Sequence, residues 1–358
     1  MAPRRDRAVE IAQRAGADAL LAADPATVTW LTGYAADIET GPSPFAHTPL
    51  ALLAPGSPPV LIVSEDEAAA AAAGGCGVVT YPGFGLGPID PVGGAARALA
   101  EVIPNGTIAT ERGAPLAALA TGLSTVEVGA ELAQARAVKD EDEIALLRTA
   151  LALCDAGQRA AREHAQPGMT ELELWALVRA AIEREAGERT AVLADLVSGP
   201  RTAEVGGAPG ERLLAEGDLV LCDLVPRRHG YWGDSCSTFA VGEPSVNARS
   251  RHQAAADALA RAIKVICPGA LAGDIDALTR AGLDYPHHTG HGLGATFHEE
   301  PRIVPGATAV LEPGMVIALE PGSYGGGEGV RVEQIVLVTD DGCEVLSRHD
   351  LALSALEQ

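Results

Sequence analysis

Two pairs of acids stand at mirrored positions about two turns. In "GDLVLCDLVPRRHGYWGDSCSTFAVG", residues 217–242, Asp223 and Asp234 flank the turn "PRRHG" between β-forming runs. In "MVIALEPGSYGGGEGVRVEQIVLV", residues 315–338, Glu320 and Glu333 flank the glycines 325–327. If each pair faces across adjacent strands, the opposed Cβ atoms lie about 5 Å apart. Carboxylates that close repel unless a proton or a cation lies between them. An acid inside an apolar strand is costly unless something pairs with it. Arg331 precedes Glu333 by two residues, so it shares that strand face and is placed to hold a ligand carboxylate.

Between the two hairpins, "HHTGHGLGATFHEEP" (residues 287–301) holds four of the nine histidines: His287, His288, His291 and His298. Their spacing does not fit a helical His-Glu-x-x-His zinc motif, and the six cysteines contain no C-x-x-C pair. Two pairs of strand acids around an imidazole strip read instead as a paired-metal site. Such an oxygen-rich set favours manganese or another hard divalent ion over a thiolate-selected zinc site. Adjacent strand residues point to opposite faces, so His288 is expected to turn away if His287 faces the site. His229 is expected to be solvated at its turn, Cys222 and Cys236 to fill core space, and Trp232 to pack the first hairpin. His47, His164, His252 and His349 show no partner in the sequence.

These residues need a scaffold. An amphipathic helix over roughly 4–15 opens an alternating pattern, and this start reads as a first helix and not as a leader. "ADALLAAD", "TVTWLTGY", "PLALLAPG", "PPVLIVS" and "GVVTYPG" read as strands, with helices at "EDEAAAAAAGG" and "AARALAEVI". That rhythm implies an α/β domain ending near residue 129. Two helices then start at Asp140/Glu143 and Thr170/Glu173, each a capping-box pattern. From 190 onward strands and hairpins dominate, interrupted by one helix at "SRHQAAADALARAIKVI".

The chain has 358 residues and a formal charge of −22, with 47% hydrophobic residues. That length suits two domains, and the acidic balance argues against nucleic-acid or anionic-membrane partners. No run approaches the apolar length of a membrane helix. Scattered cysteines in a long chain point to reduced thiols and a cytoplasmic setting.

Taken in chain order, Asp223, Asp234, His291, Glu320 and Glu333 resemble the five metal ligands of the pita-bread metallohydrolase family. Aminopeptidase P, prolidase, methionine aminopeptidase and creatinase belong to that family. "GHGLG" with "HEEP", "ALEPGSY" and "GVRVE" resemble its signatures. "TWLTGY", "RAVKDEDEIALLRTA", "PGMTELEL" and "LVSGPRT" extend the likeness over nearly the whole chain. The resemblance implies a creatinase/prolidase-type α/β amino-terminal domain over residues 1–129. It implies an α+β pita-bread catalytic domain with a curved antiparallel sheet over 130–358. It further implies two divalent ions, with Mn2+ favoured and Co2+, Zn2+ or Fe2+ as alternatives, and a metal-bridging water as nucleophile. Asp223 would bind one ion, Asp234 and Glu333 would bridge the pair, and His291 with Glu320 would complete the second. Glu320 would also relay the proton. His298 and His287 would face substrate, and the protein would be a homodimer.

Three departures bear on the substrate. Family peptidases carry a loop histidine after the Ser198-Gly199 equivalent that helps hold the substrate, where this chain has Gly206 and Gly207. Cys236 and Ser237 replace a Thr-Arg pair after Asp234, and the segment before the histidines is short. The first expectation is a metallopeptidase, an Xaa-Pro dipeptidase or aminopeptidase. The alternative is a creatinase-like or ectoine-hydrolase-like enzyme that cleaves a non-peptide C–N bond in a small amide or amidine. A non-enzymatic binder would have been expected to lose metal ligands.

Overall fold

The computed structural model describes residues 2–38, 43–111 and 122–354. The chain divides into two compact units, Met1–Arg136 and Ala137–Gln358. The division falls at the end of the helix Gly129–Ala137, not at its start near 129.

In the first unit a six-stranded sheet runs in the order β4-β3-β2-β1-β5-β6. Its strands are β1 (Ala19–Ala22), β2 (Leu50–Leu53), β3 (Val60–Ser64), β4 (Gly77–Tyr81), β5 (Thr107–Thr110) and β6 (Ser124–Glu127). Alternate residues feed opposite cores: Leu20 packs with Ile11, Trp30 and Leu31, whereas Leu21 packs with Leu50, Ile62 and Leu99. A sheet covered on both faces explains the uninterrupted apolar runs. Helices α1 (Ala2–Arg14), α3 (Ala68–Ala72) and α4 (Pro91–Val102) fall where the sequence places them. "TVTWLTGY" does not: it is α2 (Pro25–Thr32), not a strand. Asp24 caps it by accepting from the Ala26 and Thr27 amides at 2.9 and 3.1 Å, and Gly33 closes it at φ 74°. Seven of its eight residues are buried, so no polar stripe marked a helical period.

After α5 (Gly129–Ala137), the second unit is built from two helix-covered antiparallel sheets. Helices α6 (Glu141–His164) and α7 (Glu171–Ala186) start at the Asp140/Glu143 and Thr170/Glu173 capping boxes. The sheet β10-β8-β7 contains β7 (Val192–Ser198), β8 (Leu219–Arg228) and β10 (Ser235–Ala240), with β9 (Tyr231–Trp232) paired to the end of β8. Leu153, Val178, Ile182, Leu196, Val220 and Phe239 fill the space under these helices.

The other sheet, β12-β11-β13-β16-β17, comprises β11 (Gly290–Gly292), β12 (Glu299–Ile303), β13 (Val316–Leu319), β16 (Gln334–Val338) and β17 (Cys343–Val345). Its core gathers Leu259, Ile275, Ile303, Ile317 and Val336. Helix α8 (Val246–Ile263) was expected; α9 (Ala272–Arg280), over "DIDALTR", was not, because nine residues show too little period to read. A separate hairpin, β14 (Gly322–Gly325) with β15 (Glu328–Arg331), springs from the corner where β13 and β16 end. Gly326 and Gly327 form its two-residue turn at φ 63° and 82°, a conformation open to glycine.

Candidate metal centre

The first acid pair is not directly opposed. Asp223 on β8 faces Cys236 on β10, and Asp234 stands one residue before β10, diagonal to Asp223. His229 and Gly230 close this hairpin with φ 49° and 85°, and β9 lengthens the ribbon beyond the acids. The second pair is mirrored as expected. Leu319 pairs with Gln334, so Glu320 and Glu333 leave their strands together at the corner. Two backbone bonds tie that corner to the rest of the site. The Glu333 amide donates to Cys236 O at 2.9 Å, and the Glu320 amide to Thr289 O at 2.9 Å.

The resulting geometry concentrates negative charge. One carboxylate oxygen each from Asp223, Asp234 and Glu333 lies within 4.8 Å of the others. Asp234, Glu320 and Glu333 are all buried. Burial and then the neighbouring carboxylates hold Asp234 and Glu333 well above the usual carboxylate range. Burial pushes Asp223 up to about 6 against the opposing charge of Arg331. Asp223 Oδ1 and Glu333 Oε1 are buried without a hydrogen-bond partner. Orphaned oxygens among crowded carboxylates are what a divalent ion would satisfy, so the residues fit the expected pair of ions.

Arg331 enters from the β14–β15 hairpin. Its guanidinium hydrogen-bonds Asp223 and donates to Val205 O at 2.6 Å, and its Nε lies 3.7 Å from Glu320 Oε2. The arginine therefore orients Asp223 and leaves that residue's other oxygen free.

His291 sits on β11, an inner strand between β12 and β13. Its glycine neighbours are required by that position: a Cβ at Gly290 would meet Ala318 O at 2.0 Å, and one at Gly292 would meet Glu300 O at 2.1 Å. Nδ1 of His291 donates to Gly292 O at 3.0 Å, which turns Nε2 toward the acids. Nε2 lies 3.3 Å from Glu320 Oε1 and 3.6 Å from Asp234 Oδ2.

The remaining histidines divide differently from expectation. His288 does not turn away, because it lies in an irregular stretch before β11, where strand alternation does not apply. Its Nε2 is 2.7 Å from Glu320 Oε1, and Arg302 reaches its Nδ1 at 3.0 Å. Arginine can only donate, so the His288 proton is on Nε2 and is given to Glu320. That assignment leaves His288 a hydrogen-bond donor, although its ring clusters with those of His291 and His298. Burial works against ionising Glu320, but the bonds from His288 and His291 outweigh it and hold its carboxyl well below the usual range. His298 is exposed at the rim, its ring centroid 4.1 Å from that of His291. His287 is occupied by Tyr324, whose hydroxyl lies 3.0 Å from its Nε2, and by Tyr285, which stacks on it at 4.9 Å. Burial depresses His287 to about 4, and partial desolvation of the His298 ring, with His291 and His288 beside it, depresses His298 to about 4 as well.

The minor expectations fare well. His229 is exposed, Cys222 and Cys236 are buried thiols, and Trp232 packs on Phe297 at 5.3 Å.

Two residues that the sequence did not single out shape the loop 199–212. Glu171, at the start of α7, accepts from the Ser198 amide and hydroxyl, both at 2.7 Å, and from the Gly210 amide at 2.9 Å; it also pairs with Arg201. Asp195 lies directly opposite Asp223 across β7 and β8, on the same face. A Cβ on Gly206 would fall 1.9 Å from Asp195 Oδ2. The place beside the expected loop histidine is therefore taken by a carboxylate from the neighbouring strand. Only the strand register reveals this, and register is not readable from "VLADLVS" alone.

Fold and site together define a protein equipped to hold divalent cations among buried carboxylates, with an α/β domain ahead of the site. The chain belongs to metallopeptidase family M24, which matches residues 145–340, and the Creatinase/Prolidase N-terminal domain matches residues 4–138. M24 is a family of dinuclear metal-dependent hydrolases. Over 220 residues the chain is 39% identical to the probable dipeptidase PepE of Mycobacterium tuberculosis H37Rv, covering 59% of this chain and 58% of that protein. It thus spans under two thirds of that relative's length. The PepE structure from Mycobacterium ulcerans superposes with a TM-score of 0.80 at 29% identity, covering 99% of this chain and 97% of the other. The prolidase of Pyrococcus horikoshii OT3 gives 0.85 at 24% identity over 98% and 99%, a likeness of fold. No helix among the described residues is long and apolar enough to cross a membrane.

Proposed function

We propose that this chain is a dinuclear metallopeptidase that cleaves small peptides, as an Xaa-Pro dipeptidase or aminopeptidase. The observation that carries the reading is the meeting of Asp223, Asp234 and Glu333 oxygens within 4.8 Å, two of these residues with orphaned buried oxygens. Asp223, Asp234, Glu320 and Glu333, together with His291 through Nε2, would hold the two ions. The ions, when bound, acidify water and polarise a carbonyl. Manganese suits four carboxylates and one imidazole better than thiophilic ions do.

The protein's own groups would do the rest. Glu320, kept ionised by its histidine neighbours, is set to accept a proton, as the first half of a relay requires. His298 stands exposed at the rim beside His291, where an imidazole N–H can donate to an oxyanion. Tyr324 fixes the His287 ring, and Arg331 fixes Asp223. A homodimer is proposed on the family resemblance. A cytoplasmic setting is proposed because all six cysteines are free.

The second reading, hydrolysis of a non-peptide C–N bond in a small amide or amidine, draws on the altered loop at Gly206 and Gly207. A panel of Xaa-Pro dipeptides, longer peptides and small amidines, assayed with manganese, separates the two. Asp234→Ala should abolish both metal uptake, read by elemental analysis, and turnover. Unchanged turnover in that variant would refute the site assignment.

A further inference from the structure

Asp195 is unlike the other acids of the site. Its side chain is 42% exposed, and its nearest cation, Arg331 Nη2, is 3.9 Å away. Arg331 is already committed to Asp223 and Val205. No hydrogen bond reaches the Asp195 carboxylate from the described residues. It stands opposite Asp223 on the face that carries the metal-binding acids, yet it is not among the three converging carboxylates. Gly206 leaves open the volume into which it projects.

The charges point the same way: Asp195 adds a carboxylate that Arg331 does not neutralise, because Arg331 already faces Asp223 and Glu320.

We propose that Asp195 is a specificity-determining residue that selects substrates carrying a cationic nitrogen. This rests on the peptidase reading for the site's role, but the chemistry it names is general: an ammonium or guanidinium within reach of the Asp195 carboxylate. Two sources could supply it, the α-ammonium of an amino-terminal residue or a basic side chain. Gly206 is the companion position, because any side chain there must push the carboxylate aside.

Calorimetric binding to the manganese-loaded protein tests this with ligands that are not turned over. Lysine and norleucine differ in the side-chain charge, and norleucine and N-acetylnorleucine differ in the α-charge. Asp195→Asn should weaken the cationic ligands roughly fivefold, the scale of a partly exposed ion pair, and leave N-acetylnorleucine unchanged. Loss for both lysine and norleucine identifies the α-ammonium, and loss for lysine alone identifies the side chain. Gly206→Ala should shift the same ligands in the same direction with the charge retained. Equal effects on all ligands, no effect, or a wild-type protein that does not prefer cations would overturn the proposal. Hydrolysis of Ala-Pro, measured in parallel, reads the peptidase reading separately. Turnover without charge selectivity sinks Asp195 alone, and charge selectivity without turnover sinks the peptidase reading alone.

Discussion

Replacing Glu171 with alanine should loosen the loop 199–212 and destabilise the second unit. The Glu171 side chain is fully buried and gathers three neutral donors, the Ser198 amide, the Ser198 hydroxyl and the Gly210 amide, together with Arg201. Each donor left without its acceptor costs about 1–3 kcal/mol, but such losses within one network do not simply add. Removing one partner of a buried charged network costs about 3–5 kcal/mol, which is the better guide. At roughly 2–4 °C per kcal/mol for a unit of this size, the melting temperature should fall by about 10 °C. Glu171→Gln keeps the shape and one acceptor oxygen, so it should lose about 1–2 kcal/mol. Calorimetric melting of the wild type and both variants measures the series. KM for an Xaa-Pro dipeptide, taken below the melting range, should rise more in the alanine variant because the loop borders the site. An alanine variant melting within about 2 °C of the wild type would refute the reasoning, since the carboxylate would then contribute no more than a surface contact.

Three further outcomes follow from the same geometry. Chelation should lower the melting temperature, and added manganese should raise it with concentration, the stabilisation reaching about 2.7 kcal/mol at a hundred times Kd; a melting curve indifferent to metal contradicts the site. Gly292→Ala should disrupt β11, because the new Cβ meets backbone atoms of Glu300 at 2.1 and 2.6 Å; a cost of about 3 kcal/mol and lost metal uptake are expected, read by melting and elemental analysis. Burial, with Arg162 nearby, depresses His349 to about 4, so between about pH 6.5 and 4 the unfolded chain binds a proton that the folded chain does not. Its contribution is complete above about pH 6.5 and about 3 kcal/mol is lost as the pH falls toward 4; His349→Phe should flatten that part of the stability profile, and an unchanged profile would exclude the histidine as its source.

Glu320 and Glu333 stood out because they interrupt apolar runs, where a charge has no place without a partner, and His291 stood out only through the crowding of histidines and the family resemblance. Capping boxes at Asp140 and Thr170 were legible because they are local side chain–backbone pairs. What depended on register or on irregular backbone was not. Asp234 could be paired with Asp223 on paper, yet β8 aligns Asp223 with Cys236 and leaves Asp234 diagonal. His288 was assigned by a strand rule to a segment that bends. Helix α2 was misread because complete burial erases the stripe that distinguishes a helix from a strand. Asp195 required knowledge of which strand lies beside β8, and Glu171 of where the loop after β7 returns.

The contact between Asp195 and position 206 also constrains how the pocket can change over generations. A histidine introduced at 206 while Asp195 remains would meet the carboxylate at once, and the two would pair with each other instead of with a ligand. Losing Asp195 first leaves an open, fold-compatible gap that a later side chain can fill. The two positions are therefore coupled, so the effect of a side chain at 206 depends on whether Asp195 is present.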